Sequence, residues 1–415
     1  MTARRDAGQT SFVPAKVLRR LLQEQPTPFY LYDETMLREA CEKLRLAFSW
    51  NAGFTPVFPV RMNQNPAVLR ILASAGAQML CVSEAELRLA RRADADGQRI
   101  IYAPVAIDER ACGYARRIGA AQLVDGEHAL PPQPPARVFL SVNPGGQLCL
   151  NGRTVWNFEK SKLGVREDRL PALFRSFPES ETASRGLALF LRDQENSPDA
   201  FCAGLERLFA LTAQLYRQER ITVGTVFVSG GLGACELESE ENELRDVSRR
   251  VRESYEKILS PLGLRVRIQI APGRFLAASH GLLATKVLEV RREDPKPPLV
   301  ILDVTCGQFL REIAFGAAHR MDAPFVSADK PRRMTCAAGC LPDIRDRFSG
   351  EYLLPELKAG DCVVILDTGA DGAGFQSGYG GSLRCAEFLV GLDGKLQCIR
   401  SRQTAQELLA SYTLD

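Results

Sequence analysis

Histidine is nearly absent from this chain: His128, His280 and His319 are the only three in 415 residues. That shortage excludes a histidine-rich metal centre. Long apolar runs are missing as well. No stretch approaches the roughly 20 residues a membrane helix needs, and the opening MTARRDAGQTSFVPAKVLRR lacks the apolar core of a secretory leader. The sequence therefore reads as cytoplasmic. Neither sign of charge dominates: 53 Lys+Arg against 50 Asp+Glu leave +3, with no basic run to argue for nucleic acid or a membrane surface. Cysteine is present 12 times but without a CxxC pair. The nearest two, Cys336 and Cys340, have no second pair or histidine beside them, and scattered positions such as Cys41, Cys81, Cys149, Cys202 and Cys362 suit reduced, buried thiols.

What remains is an ordinary globular composition, 45% hydrophobic and 25% charged. A chain of 415 residues exceeds what one core organises, so two domains are expected. TPFYLYD (27–33) reads as a short strand, and Glu34 to Trp50 carries Leu37, Ala40, Cys41, Leu44, Ala47 and Phe48 at helical spacing. Eight β-rich runs follow: PVFPV (56–60), QMLCVS (78–83), RIIYAP (99–104), AQLVDG (121–126), RVFLSVN (137–143), GLALFLR (186–192), TVFVSGG (225–231) and RIQIAPG (267–273). Helix starts are marked between them, by Asn65-Pro66 and by Ser83-Glu84-Ala85-Glu86, which fits a capping box. Alternating strands and helices imply parallel pairing, and eight strands favour a (β/α)8 TIM barrel over a doubly wound open sheet. After about residue 282 the runs TKVLEV, PLVILDV, CVVILDT, AEFLVGL and KLQCIRS are joined by turns, which fits a C-terminal β domain (sandwich or barrel) that takes in the N-terminal segment. The expected domains are thus 1–33 with 283–415, and 34–282.

Motifs spread along the chain share one pattern. In order they are TPFYLYD (27–33), FPVRMNQNPAVLRIL (58–72), AGAQMLCVSEAEL (75–87), SVNPG (141–145), SKLG (161–164), SGGLG (229–233), APGR (271–274), LREIAFGAAH (310–319), AGC with Asp343, LPELKAGD (354–361) and SGYGGSLRCAEFLV (377–390). This set resembles the diaminopimelate/ornithine decarboxylases, pyridoxal-phosphate enzymes of fold type III with an alanine-racemase-like barrel. The resemblance implies a barrel that binds the cofactor, a β domain, and a head-to-tail homodimer in which a cysteine-and-aspartate loop of one subunit completes the site of the other.

Three departures fall on the chemistry itself. The family's Schiff-base lysine ends the first barrel strand, where this chain has Arg61 in Phe58-Pro59-Val60-Arg61-Met62-Asn63. A guanidinium stays protonated and is a very poor imine former. The family's E-P-G-R, whose glutamate holds the pyridine nitrogen protonated, reads Ala271-Pro272-Gly273-Arg274. The family's H-F-H-x-G-S aligns with Gly186 to Asp193, so that Phe190 could stack on a ring but Asp193 would face a phosphate unless Arg192 offsets it. Candidates for a displaced lysine are Lys160 and Lys162, at the SKLG motif, and Lys286, which follows the barrel; the plain alternative is a solvated surface role.

Other positions match. Gly230, Gly231 and Gly233, with Gly273, Arg274 and Tyr379, correspond to the family's phosphate contacts; the alternative for the glycines is a tight strand-to-helix turn. Arg311 stands where the family recognises a substrate carboxylate, and Cys340 and Asp343 match the loop lent across the dimer, one residue shorter and with Leu341 or Pro342 at the substrate-reading position. His319 reads as a structural, hydrogen-bonded histidine and Asp371 as a solvated turn residue. Arg61, Arg274 and Arg311 could converge on an anion, although Arg61 could equally be salt-bridged packing.

The expectation is a diverged decarboxylase homologue, a pseudoenzyme with respect to ordinary Schiff-base catalysis, that binds an anionic or amino-acid-like small molecule. It would act as a homodimer or pair with an active relative. The alternative is an active amino-acid decarboxylase or other lyase with an altered site. Pyridoxal phosphate is expected from the resemblance alone, and not as an imine at position 61.

Overall fold

The computed structural model describes residues 13–126, 135–150, 153–177, 184–191, 197–233 and 238–413. His128, Arg192, Asp193 and the start of the PPQPPA loop lie outside them. The chain divides into two compact units, one of Arg38–Leu276 and one formed by the residues up to Leu37 together with Ala277 onward.

The first unit is a closed barrel of eight parallel strands: Thr55–Pro59, Gln78–Cys81, Ile100–Tyr102, Ala121–Val124, Arg137–Asn143, Ser184–Phe190, Thr225–Ser229 and Arg267–Ala271. Each pairs with the next, and the last returns to the first through Gln269 opposite Thr55. The open-sheet alternative is thereby excluded. Strands of a parallel barrel are covered on both faces, so they appear as continuous apolar runs rather than alternating ones. The intervening helices begin where side chains satisfy their free N–H groups. Asn65 accepts from Ala67 N before Pro66, Asp108 from Arg110 N and Ala111 N, and Ser197 from Ala200 N before Pro198. Ser83 accepts from Glu86 N at 3.2 Å, but the Glu86 carboxylate takes the Val82 N–H at 2.9 Å instead of closing a capping box on Ser83.

Inside the barrel one apolar cluster takes a residue from every strand: Val57, Leu80, Ile101, Leu123, Phe139, Ala188, Phe227 and Ala271, with Ala103 and Ala121. Size is matched across strands. A Cβ added to Gly186 would lie 2.4 Å from the Phe139 ring, so the ring fills the space the glycine leaves.

The second unit holds a nine-stranded mixed sheet. Phe29–Asp33 sits inside it, antiparallel to Gly281–Arg291 and parallel to Ala386–Val390. Its core joins Leu18 and Leu21 of the helix Ala15–Glu24 to Phe29, Leu31, Leu282, Val364 and Phe388. The strands Arg332–Ala338 and Arg347–Pro355, which pair with each other, have no counterpart among the expected runs. RRMTCAA opens with three exposed residues and so carries little apolar signal. Among the described cysteines, Cys149, Cys340 and Cys398 are exposed and the other eight are buried free thiols. No helix among the described residues is long and apolar enough to cross a membrane.

Gly186→Ala is expected to lower stability by about 1–3 kcal/mol by forcing the Phe139 ring from its place. Chemical denaturation of the two proteins checks this; an unchanged midpoint would show that the interior relaxes freely.

Candidate functional site

In a parallel barrel all strands end at one face, and alternate residues point inward. Because Val57, Leu123, Phe139, Ala188 and Ala271 face the interior, the next inward positions toward the mouth are Pro59, Asp125, Ser141 and Phe190. Arg61 follows on the half-exposed turn Val60–Met62 that ends the first strand. Its charge acts on Glu86, which is only 4% exposed. Burial raises the Glu86 carboxyl above its ordinary range, opposed by the Val82 N–H, the Arg61 charge and a Gln64 hydrogen bond.

At the end of the eighth strand, Ala271 is buried within the apolar cluster. The Phe190 ring packs edge-on against Phe227 at 6.0 Å. Gly230 and Gly231 adopt positive φ of 88° and 91°, a conformation other residues rarely take. The Gly230 N–H donates to the Ala271 carbonyl at 3.3 Å. A Cβ on Gly231 would lie 2.8 Å from Leu191, so that glycine permits packing of the loop on the Leu191 and Phe201 side chains. Gly233 is the last described residue of the loop. Gly273, whose Cβ would lie 2.6 Å from Met62, lets the turn after Arg61 pack on the helix Gly273–Ala277, which carries the half-buried Arg274. Lys160 and Lys162 are exposed, and Lys286 is half-buried in the other unit.

Asp125 and Ser141 were not singled out by the sequence. Asp125 is 6% exposed and Ser141 1%. Gly164 N donates to Asp125 Oδ1 at 3.0 Å, while Asp125 Oδ2 and Ser141 Oγ have no well-formed hydrogen bond. An aspartate after an apolar run looks like a turn residue; only the strand register, with Val124 opposite Leu140, puts it inside beside Ser141.

In the β unit, Arg311 is 8% exposed and donates to Asp371 Oδ2 at 2.5 Å and to His319 Nε2 at 3.0 Å. Since arginine only donates, His319 Nε2 must accept and the ring proton sits on Nδ1, where it donates to the Leu366 carbonyl at 2.9 Å. Burial holds the His319 pKa down to about 4. The solvated role expected of Asp371 is corrected: it is 6% exposed, with a φ of 58°. Asp343, Arg345 and Tyr379 form a second cluster. Tyr379 donates its hydroxyl to Asp343 Oδ2, and Arg345 Nη2 lies 3.0 Å from that oxygen and 3.2 Å from the tyrosine hydroxyl. These contacts hold the Asp343 carboxyl well below the usual range. Cys340 is exposed, and partial burial raises its thiol.

A closed eight-stranded parallel barrel with an appended mixed β unit is the architecture of fold type III pyridoxal-phosphate enzymes. The chain belongs to the family described as pyridoxal-dependent decarboxylases, whose pyridoxal-binding domain matches residues 35–278. Among curated proteins it is 26% identical over 391 residues to Protein TabA of Pseudomonas amygdali pv. tabaci, covering 94% of this chain and 91% of that one. It is also 26% identical over 398 residues to the diaminopimelate decarboxylase of Methanothermobacter thermautotrophicus, covering 94% and 92%. The diaminopimelate decarboxylase of M. jannaschii, crystallised with L-lysine, superimposes with a TM-score of 0.81 at 21% identity, covering 95% of this chain and 94% of that one. At that identity the likeness is one of fold.

A histidine held neutral by burial binds fewer protons folded than unfolded between its pKa of about 4 and its ordinary value near 6.5. Stability is therefore lost as pH falls through that window. His319→Gln is expected to remove about 2–3 kcal/mol of this acid sensitivity, measured as the difference between the two proteins' denaturation midpoints from pH 7 to pH 4.

Proposed function

We propose that this chain is a decarboxylase-family protein that has given up Schiff-base catalysis at its first barrel strand and uses the barrel mouth to bind an anionic, amino-acid-like small molecule. The observation that carries the reading is Arg61 on the turn that ends the first barrel strand, beside Glu86. Three features of the donor set disagree with pyridoxal phosphate held as an imine. Arg61 offers no nucleophilic amine. Ala271, packed among apolar side chains, offers no carboxylate to a pyridine nitrogen. The Gly230 N–H is given to the Ala271 carbonyl instead of to a phosphate.

What favours an amino-acid-like ligand is the guanidinium at the mouth, together with the L-lysine bound by a structural relative. The Cys340–Asp343 loop, with Arg345 and Tyr379 attached, is the segment this chain would lend to a partner subunit, either a second copy or an active relative. The cytoplasm is the compartment that suits its free thiols.

With pyridoxal phosphate added, the protein is expected to show no visible imine absorbance and, after borohydride, no gain in intact mass. The double variant Arg61→Lys/Ala271→Glu is expected to gain both. A borohydride-stable adduct on the unaltered chain would overturn the reading and favour an active decarboxylase with a relocated lysine. For the ligand, Arg61→Ala is expected to weaken binding of a simple carboxylate probe, hexanoate, by about tenfold, the size of one charge-assisted hydrogen bond.

A further inference from the structure

Asp125 is the most conspicuous unspent group in the barrel. It follows the fourth strand, faces inward one layer above Leu123, and stands beside Ser141 of the fifth strand, which is one layer above Phe139. One carboxylate oxygen is satisfied by the Gly164 N–H; the other, and the Ser141 hydroxyl oxygen, have no well-formed partner although both residues are more than nine-tenths buried. A buried acceptor left unpaired costs free energy until a donor arrives. Burial accordingly raises the Asp125 carboxyl, with Ser141, the Gly164 N–H and the charge of the exposed Lys162 pulling the other way.

We infer that Asp125 and Ser141 form an ammonium-binding subsite at the barrel mouth, which takes the amino group of a ligand whose anionic end lies toward Arg61. An ammonium carries three donors and no acceptor, which suits a carboxylate oxygen and a hydroxyl oxygen that have no well-formed hydrogen bond and, at most, each other for company. Arg61 ends the first strand and Asp125 the fourth, three steps apart around a ring of eight, so the mouth carries a positive and a negative pole on separated strands. Charges placed in this way select a zwitterion with separated ends over a simple acid or a simple amine. Glu86 moderates the positive pole, and the cationic charge felt at the negative one is that of the exposed Lys162. The inference rests on the reading of the mouth as a ligand site and adds the second half of the ligand.

The test uses the full chain and two probes that differ only in the amine, 6-aminohexanoate and hexanoate, titrated calorimetrically. The unaltered protein is expected to bind 6-aminohexanoate about tenfold more tightly than hexanoate. Asp125→Asn is expected to bring the ratio near one and leave hexanoate unchanged, and Ser141→Ala, which keeps the charge, to reduce the preference a few-fold. If Asp125→Asn does not fold, the Ser141→Ala ratio decides. A preference that survives these substitutions, or its absence from the unaltered protein, overturns the inference. Hexanoate binding that depends on Arg61 while the amine adds nothing sinks this inference alone. If neither probe binds the unaltered protein, or hexanoate binds but Arg61→Ala leaves its affinity unchanged, the reading of the mouth falls with it.

Discussion

Closure of the barrel is the constraint on which the rest depends. Once Gln269 pairs with Thr55 and the ring has no open edge, every strand is covered on both sides by backbone hydrogen bonds. Parallel direction then sends all eight C-terminal ends to one face, and the two-residue period of a strand decides which side chains arrive there pointing inward. The lower layers are filled: Phe139 lies over Gly186, and Phe227 meets both Phe139 and Phe190 edge-on at 6.1 and 6.0 Å. Chemistry is thereby confined to the last inward residue of each strand and the turn that follows it.

Much of this was legible in the sequence because of the same closure. Strands covered on both faces must be apolar throughout, so runs such as RVFLSVN stand out, and that one coincides with the strand Arg137–Asn143. Boundaries slipped where polar residues extend a strand, as Ser184 and Arg185 do before GLALF. The β unit was harder to read. Arg332–Ala338 begins with exposed arginines, and its pairing with Arg347–Pro355 depends on a partner too polar on its outer face to announce itself.

The site divided along the same line. The positions of Ala271 and Phe190 at strand ends, and of Arg61 on the turn after one, were legible because each falls within a motif whose neighbours fix the alignment. Asp125 and Ser141 were not, since neither residue alone differs from a turn aspartate and a strand serine. Their adjacency comes from register, a property of two strands together. Arg311 shows the opposite case: its position in LREIAFGAAH suggests a hand extended to a ligand, yet its guanidinium is held by His319 and Asp371.

That contrast separates two uses of charge. In the β unit the charges are compensated: the buried Arg311 has a carboxylate and a ring nitrogen, and the half-buried Asp343 has the exposed Arg345 and the Tyr379 hydroxyl. Removing one member would strand the other, so such clusters specify a packing arrangement. At the barrel mouth the accounts are left open. Glu86 has the Val82 N–H, a Gln64 hydrogen bond and the charge of Arg61, whereas one Asp125 oxygen and the Ser141 hydroxyl beside it have no well-formed hydrogen bond. A fold with no need of that face would fill it as it fills the layers below, with leucine and phenylalanine. Polar groups retained inside a closed, otherwise apolar ring carry a desolvation cost, so the stability of the ring alone does not account for them.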